Sequence, residues 1–77
     1  MPHDRHALTA REAEILRHIA AGRSNREIGT ALDITEGTVK GHLQRIYRKM
    51  HVTNRTQAAV LHRKLEARPH LPADVDR

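Results

Sequence analysis

Four polar residues within TEGTVKGHLQRIYRKM, residues 35–50, are of types that grip or read a polyanion: Lys40, Gln44, Arg45 and Arg48, interleaved with Gly37 and Gly41. At about 100° per residue, all six fall on one side of a helix, while Val39, Leu43, Ile46 and Met50 share a narrow sector on the other. Ammonium and guanidinium groups donate to phosphate oxygens, and a carboxamide can pair with a purine edge. That side is almost free of carboxylates, which suits contact with DNA. Each glycine costs a helix interior about 1 kcal/mol relative to alanine, so the bare backbone needs a reason. Gly37 lies in the first turn, where a phosphate could approach the amide donors closely. Gly41 lies at the centre of the polar face, where it would allow close docking while surrendering one side chain for readout.

The overall charge agrees with that chemistry. Among 77 residues, 14 Lys and Arg stand against 9 Asp and Glu, giving +5 with neutral histidines and a pI near 10.8. Such an excess attracts nucleic acid or an anionic membrane surface; a solvated basic surface is the bland alternative. Tyr47 is the only aromatic residue, which disfavours single-strand and RNA modules that stack bases on several rings. Double-stranded DNA, gripped by charge and read in a groove, is the favoured partner.

Other function classes fit poorly. A chain of this length is one domain with no room for a buried catalytic cavity. Cysteine is absent, which excludes disulfides and cysteine-based zinc modules and makes the cytoplasm the expected compartment. No apolar run approaches the roughly 18 residues of a membrane span, and MPHDRHALT has no signal-peptide core. No membrane partner is expected. Seven histidines raise the question of a metal, with His3 and His6 or His42 and His51 as imaginable pairs, but no acid completes a coordination sphere. Neither a nucleophile–base pair nor a phosphate-cradling loop is visible. The chain is expected to be no enzyme and to need no cofactor.

The elements that must position the polar face are legible from their caps. Thr9 and Glu12 form a capping box opening a helix over about residues 10–21, with Ala13, Leu16, Ile19 and Ala20 as its apolar stripe and Gly22 as its left-handed stop. Ser24 and Glu27 open a second, over about 25–32, with Ile28, Ala31 and Leu32 inward. Asp33 to Thr35 make a short corner with Ile34 beneath it. Thr35 caps the third helix, about 36–50, and Glu36 complements its dipole. Asn54 and Gln57 open the fourth, about 55–66, with Ala58, Leu61 and Leu65 inward and Thr56, Ala59, Val60 and Arg63 outward. The fold class is therefore all-α, with the second and third helices as a helix-turn-helix. Residues 1–7 are expected to be a flexible lead, 8–66 the folded domain, and 67–77, with two of the three prolines, a flexible tail.

The segments LTAREAEIL, GRSNREIGTALDITEGTVKGHLQRIYRKM and VTNRTQAAV, in this order and spacing, resemble the LuxR/FixJ/GerE-type DNA-binding domain of bacterial transcription regulators, over about residues 8–60. The resemblance implies a four-helix fold, a third helix in the major groove and dimerisation through the fourth; the outward set Thr56, Ala59, Val60 and Arg63 then reads as the pairing face, the alternative being an ordinary surface with a lone apolar residue. It implies phosphate contacts near Ser24, Asn25, Thr35 and Thr38, and base or flanking-phosphate contacts from Lys40, Gly41, Gln44 and Arg45, with Arg48 as an anchor. Three positions depart from the family pattern. Gly41 replaces a side chain that often discriminates bases, His51 stands where a glycine often ends the third helix, and Gly29 replaces a frequent alanine and should loosen the second helix slightly.

The implied partners are double-stranded DNA with roughly palindromic half-sites, a second copy of the chain paired in solution or only on DNA, and RNA polymerase. Most members carry a regulatory domain ahead of this one, so the chain reads either as an excised output domain or as a naturally short regulator. A helix-turn-helix module that binds another protein of the transcription machinery is the alternative.

Overall fold

The computed structural model describes residues 7–67. The flexible segments expected at 1–7 and 67–77 therefore lie outside the described residues, except for residues 7 and 67 themselves. Among the described residues the chain forms α1 (Ala10–Ala20), α2 (Asn25–Leu32), α3 (Glu36–Met50) and α4 (Arg55–Ala67), and no strand.

Each helix begins on the cap read from the sequence. Thr9 accepts from the Glu12 N–H at 3.1 Å while the Glu12 carboxylate accepts from the Thr9 N–H at 2.9 Å. Ser24 and Glu27 repeat the exchange at 3.0 and 2.8 Å. Thr35 accepts from the Thr38 N–H at 3.0 Å. Caps of this kind stabilise a helix by about 1 kcal/mol each, which matters in a chain with so small a core. At α4, Asn54 caps Gln57 as expected, but Gln57 reaches back to the N–H of Thr53 rather than to that of Asn54.

The first three helices end alike, on a residue with left-handed backbone. Gly22, Asp33 and His51 have φ of 86°, 60° and 59°. After each, the chain turns back: Arg23, Ile34 and Val52 donate their N–H groups to the carbonyls of His18, Gly29 and Tyr47 at 3.1, 2.9 and 3.0 Å. This double-bonded stop normally selects glycine, because a side chain adds roughly 1–2 kcal/mol of steric strain there. Asp33 and His51 adopt it nonetheless.

The core is built from Ile15, Leu16 and Ile19 of α1, Ile28 of α2, Val39, Leu43 and Ile46 of α3, and Ala58 and Ala59 of α4. Leu8, Leu32, Ile34, Tyr47, Met50 and Val52 pack around its margin. Each fully buried isoleucine contributes about 2 kcal/mol of transfer free energy. Helix α1 is the hub, packing on both α3 and α4, while α2 packs on α3.

Several inward assignments need correction. In α1 the buried set is Glu12, Ile15, Leu16 and Ile19, with Ala13 and Ala20 only half-buried. In α2, Ala31 is exposed and Gly29 is buried. Gly29 does more than loosen its helix: a Cβ built there would lie 2.6 Å from the carbonyl oxygen of Ile34. The corner is drawn onto bare backbone. In α4, Ala59 is inward and 9% exposed, not part of the outer face, whereas Leu65 is 46% exposed. The buried residues of α4 are Ala58 and Ala59, flanked by half-buried Arg55, Leu61 and His62, so of the stripe expected through Ala58, Leu61 and Leu65 only Leu65 is displaced outward. Two adjacent alanines account for the shift, because small side chains let the backbone of α4 approach α1 closely and leave Leu65 on the flank.

Candidate nucleic-acid interface

Because Val39, Leu43 and Ile46 anchor one side of α3 in the core, the opposite side is delivered to solvent. Lys40, Gln44 and Arg48 are exposed there and make no hydrogen bond or ion pair with other described residues. Their donors are available to a ligand. Gly37 is exposed beside them, and a Cβ at Gly41 would meet nothing within 4 Å. The face is a shallow cationic ridge with bare backbone at its middle.

Two helix starts carry the remaining contacts expected from the sequence. At the start of α3 the Thr35 hydroxyl donates to the Thr38 hydroxyl at 3.0 Å while accepting from the Thr38 N–H. That arrangement leaves the Thr38 hydroxyl proton pointing away from Thr35, suited to an external acceptor. At the start of α2, Ser24 is exposed and its hydroxyl oxygen is already used as a cap, so outward donation falls to its own proton and to the first amides of the helix. Asn25 is half-buried, and its Oδ1 accepts from Arg55 at 2.7 Å. Arg55 also donates to the carbonyl of Arg23. The sequence reading missed Arg55, whose partners lie 30 and 32 residues earlier.

Arg45 does not join Lys40 and Gln44. Its Nε lies 3.7 Å from Oε2 of Glu12, its Nη2 is 3.1 Å from Nδ1 of His42, and its side chain is about half exposed. Lys49, next along that edge, donates from Nζ to Oε1 of Glu12 at 2.7 Å. Glu12, read from the sequence only as a capping residue, is thus a buried anion shared between α1 and α3. Burial by itself raises the pKa of its carboxyl; the hydrogen bond from Lys49, the contacts with Thr9 and the charge of Lys49 outweigh that and hold it below the ordinary value.

On α4, Thr56, Val60 and Arg63 are outward as expected, with Val60 42% exposed. The Nη2 of Arg63 reaches back to α1 and donates to the carbonyl of Ala20 at 3.3 Å. Thr56 and Val60, with Val52, Leu61 and Lys64, border a shallow, open depression. Among the described residues, no group of three His, Asp or Glu side chains is placed to hold a metal ion, and no helix is long and apolar enough to cross a membrane. His3 and His6 lie outside the described residues, and His42 pairs with Arg45.

Comparison with known proteins gives this arrangement a context. Residues 6–62 match the GerE model, described as bacterial regulatory proteins of the luxR family. YhjB of Escherichia coli (strain K12) is 57% identical over 58 residues, which are 75% of this chain and 29% of that protein. The transcriptional regulatory protein DegU of Brevibacillus brevis is 54% identical over 55 residues, 71% of this chain and 23% of its own. The transcriptional regulatory protein LiaR of Bacillus subtilis (strain 168) is 53% identical over 60 residues, 78% of this chain and 28% of its own. The chain thus spans less than a third of the length of these relatives.

Proposed function

The chain belongs to the luxR family of bacterial regulatory proteins, and on that premise we propose that it binds double-stranded DNA sequence-specifically as the output unit of a transcription regulator. The observation that carries the reading is the outer face of α3, where Lys40, Gln44 and Arg48 stand exposed and without a partner among the described residues while Val39, Leu43 and Ile46 are fixed in the core. A rigid helix bearing unpaired donors suits the major groove, whose base edges present acceptor patterns to such groups. Lys40 and Gln44 read bases. Arg48 anchors to phosphate, as do Ser24, Asn25, Thr35 and Thr38 at the two helix starts. Gly41 brings the backbone close to the groove floor. Arg45, divided between Glu12 and solvent, steers the approach and contributes less than its position on the helix suggests.

Two copies pair through the outer side of α4, with Val60 and Thr56 at the centre and Arg63 at the edge. Ala59 has no part in this contact because it is inside the protomer. The pair sets two α3 helices in successive major grooves, about 34 Å apart, on a roughly palindromic site. Selection from a random duplex pool tests the whole reading: enriched half-sites with two-fold symmetry and affinity falling steeply with salt are expected. Binding that ignores salt, or enrichment without a half-site, would point instead to a protein partner. For the pairing, Val60→Glu should abolish cooperative occupancy of a two-half-site duplex while leaving binding to a single half-site intact.

A further inference from the structure

Arg55, the first residue of α4, is the only described side chain that ties that helix to the start of α2 by hydrogen bonds, through Oδ1 of Asn25 at 2.7 Å and the carbonyl of Arg23. A free asparagine amide can present either its oxygen or its nitrogen to a ligand. Here the guanidinium, which can only donate, occupies the oxygen, so the amide flip is decided and the Nδ2 donors are left for an outside acceptor. The same guanidinium fixes the carbonyl of Arg23, one residue before the Ser24 cap, and so holds the loop that leads into the helix start. We propose that Arg55 is a positioning residue for DNA binding: it locks the Asn25 carboxamide as a phosphate donor and thereby couples the base of α4 to the contact made by α2. The inference rests on the reading of Asn25 as a phosphate contact.

The coupling has a chemical consequence. A phosphate offers only acceptors, so an asparagine turned the wrong way would present oxygen to oxygen and repel it. Arg55 removes that unproductive state before the DNA arrives, and it does so without touching the DNA. Its charge is used within the protein, on an acceptor pair that is already in place.

A double-mutant cycle with Asn25→Ala and Arg55→Ala, measured on a duplex carrying the selected site, tests this, with circular dichroism following helicity and thermal midpoint. Each single change should weaken binding about tenfold, and the double change should fall well short of the hundredfold that independent losses would give. The salt slope of Arg55→Ala should stay near that of the unsubstituted chain. Losses that multiply, or a slope reduced by about one for Arg55→Ala, would show that Arg55 meets a phosphate itself and would overturn the proposal. Should Arg55→Ala unfold, Asn25→Asp decides: it still accepts from Arg55 and should fold, yet it has no donor and sets a negative charge against the phosphate, so it should bind more weakly than Asn25→Ala. Undiminished binding by Asn25→Asp would overturn the positioning role. Failure of the unsubstituted chain to bind any duplex in a salt-dependent way would overturn the functional reading itself, a result distinct from multiplying losses.

Discussion

Arg48 and Lys49 are neighbours in sequence, both cationic and both in the last turn of α3, but their surroundings differ completely. Arg48 stands on the outer ridge with Lys40 and Gln44, exposed and with no partner among the described residues. Lys49, about 100° further round, is turned across to α1 and donates to buried Glu12 at 2.7 Å, with Arg45 completing a looser ion pair to the same carboxylate at 3.7 Å. One edge of the helix uses positive charge to hold the domain together, and the other keeps it for something outside. An exposed, unpaired cation adds almost nothing to folding, whereas a largely buried pair adds to stability only as long as both members are present.

The contrast can be broken most forcefully at its buried end. Glu12→Gln keeps the shape and one acceptor but leaves Lys49, 20% exposed, without its anion; unfolding in urea should show a loss of about 2 kcal/mol, with DNA contacts of the folded fraction largely kept. Next comes the outer edge. Lys40→Ala should cost about 1.5 kcal/mol of binding and relax preference at particular bases in a selection, with urea stability unchanged within about 0.5 kcal/mol. Arg48→Ala should weaken all duplexes by a similar, smaller factor, with the salt slope lower by about one. Equal losses across an operator panel for both would erase the distinction between reader and anchor.

Acid gives a milder test of the buried edge. The folded pKa of Glu12 is lower than its unfolded value, so the carboxylate contributes stability that is fully present above the ordinary value of 4.5 and is lost as pH falls through the lower folded value. Urea stability should drop below that range in the natural chain and drop less in Glu12→Gln. The smallest effect is expected at Gly41, where open space receives a side chain without a clash. Gly41→Ser should leave stability the same or slightly higher and alter the selected half-site; an unchanged half-site would remove Gly41 from the reading face.

How much of this could be read from the sequence follows from the range of each interaction. Helix starts depend on residues three apart, so Thr9 with Glu12, Ser24 with Glu27 and Thr35 with Thr38 announced the helices nearly to the residue. The side of α3 was legible because Val39, Leu43 and Ile46 are large and regularly spaced. Helix α4 is harder: its inward side is marked by Ala58 and Ala59, and alanines carry little periodic signal, so the sequence pattern puts Ala59 outward and Leu65 inward, the reverse of where they lie. Glu12 with Lys49 and Arg55 with Asn25 are separated by 37 and 30 residues. Nothing local predicts that those atoms meet, since the meeting depends on how α1, α2, α3 and α4 pack.

The absence of a side chain at Gly29 has a mechanical consequence. Where a Cβ would fall, 2.6 Å from the carbonyl of Ile34, the main chain of α2 presses on the main chain of the corner that launches α3. No rotamer lies between them to yield, and the hydrogen bond from the Ile34 N–H to the Gly29 carbonyl closes the same joint at 2.9 Å. A change in the angle between the two helices would therefore have to open this joint and part that hydrogen bond.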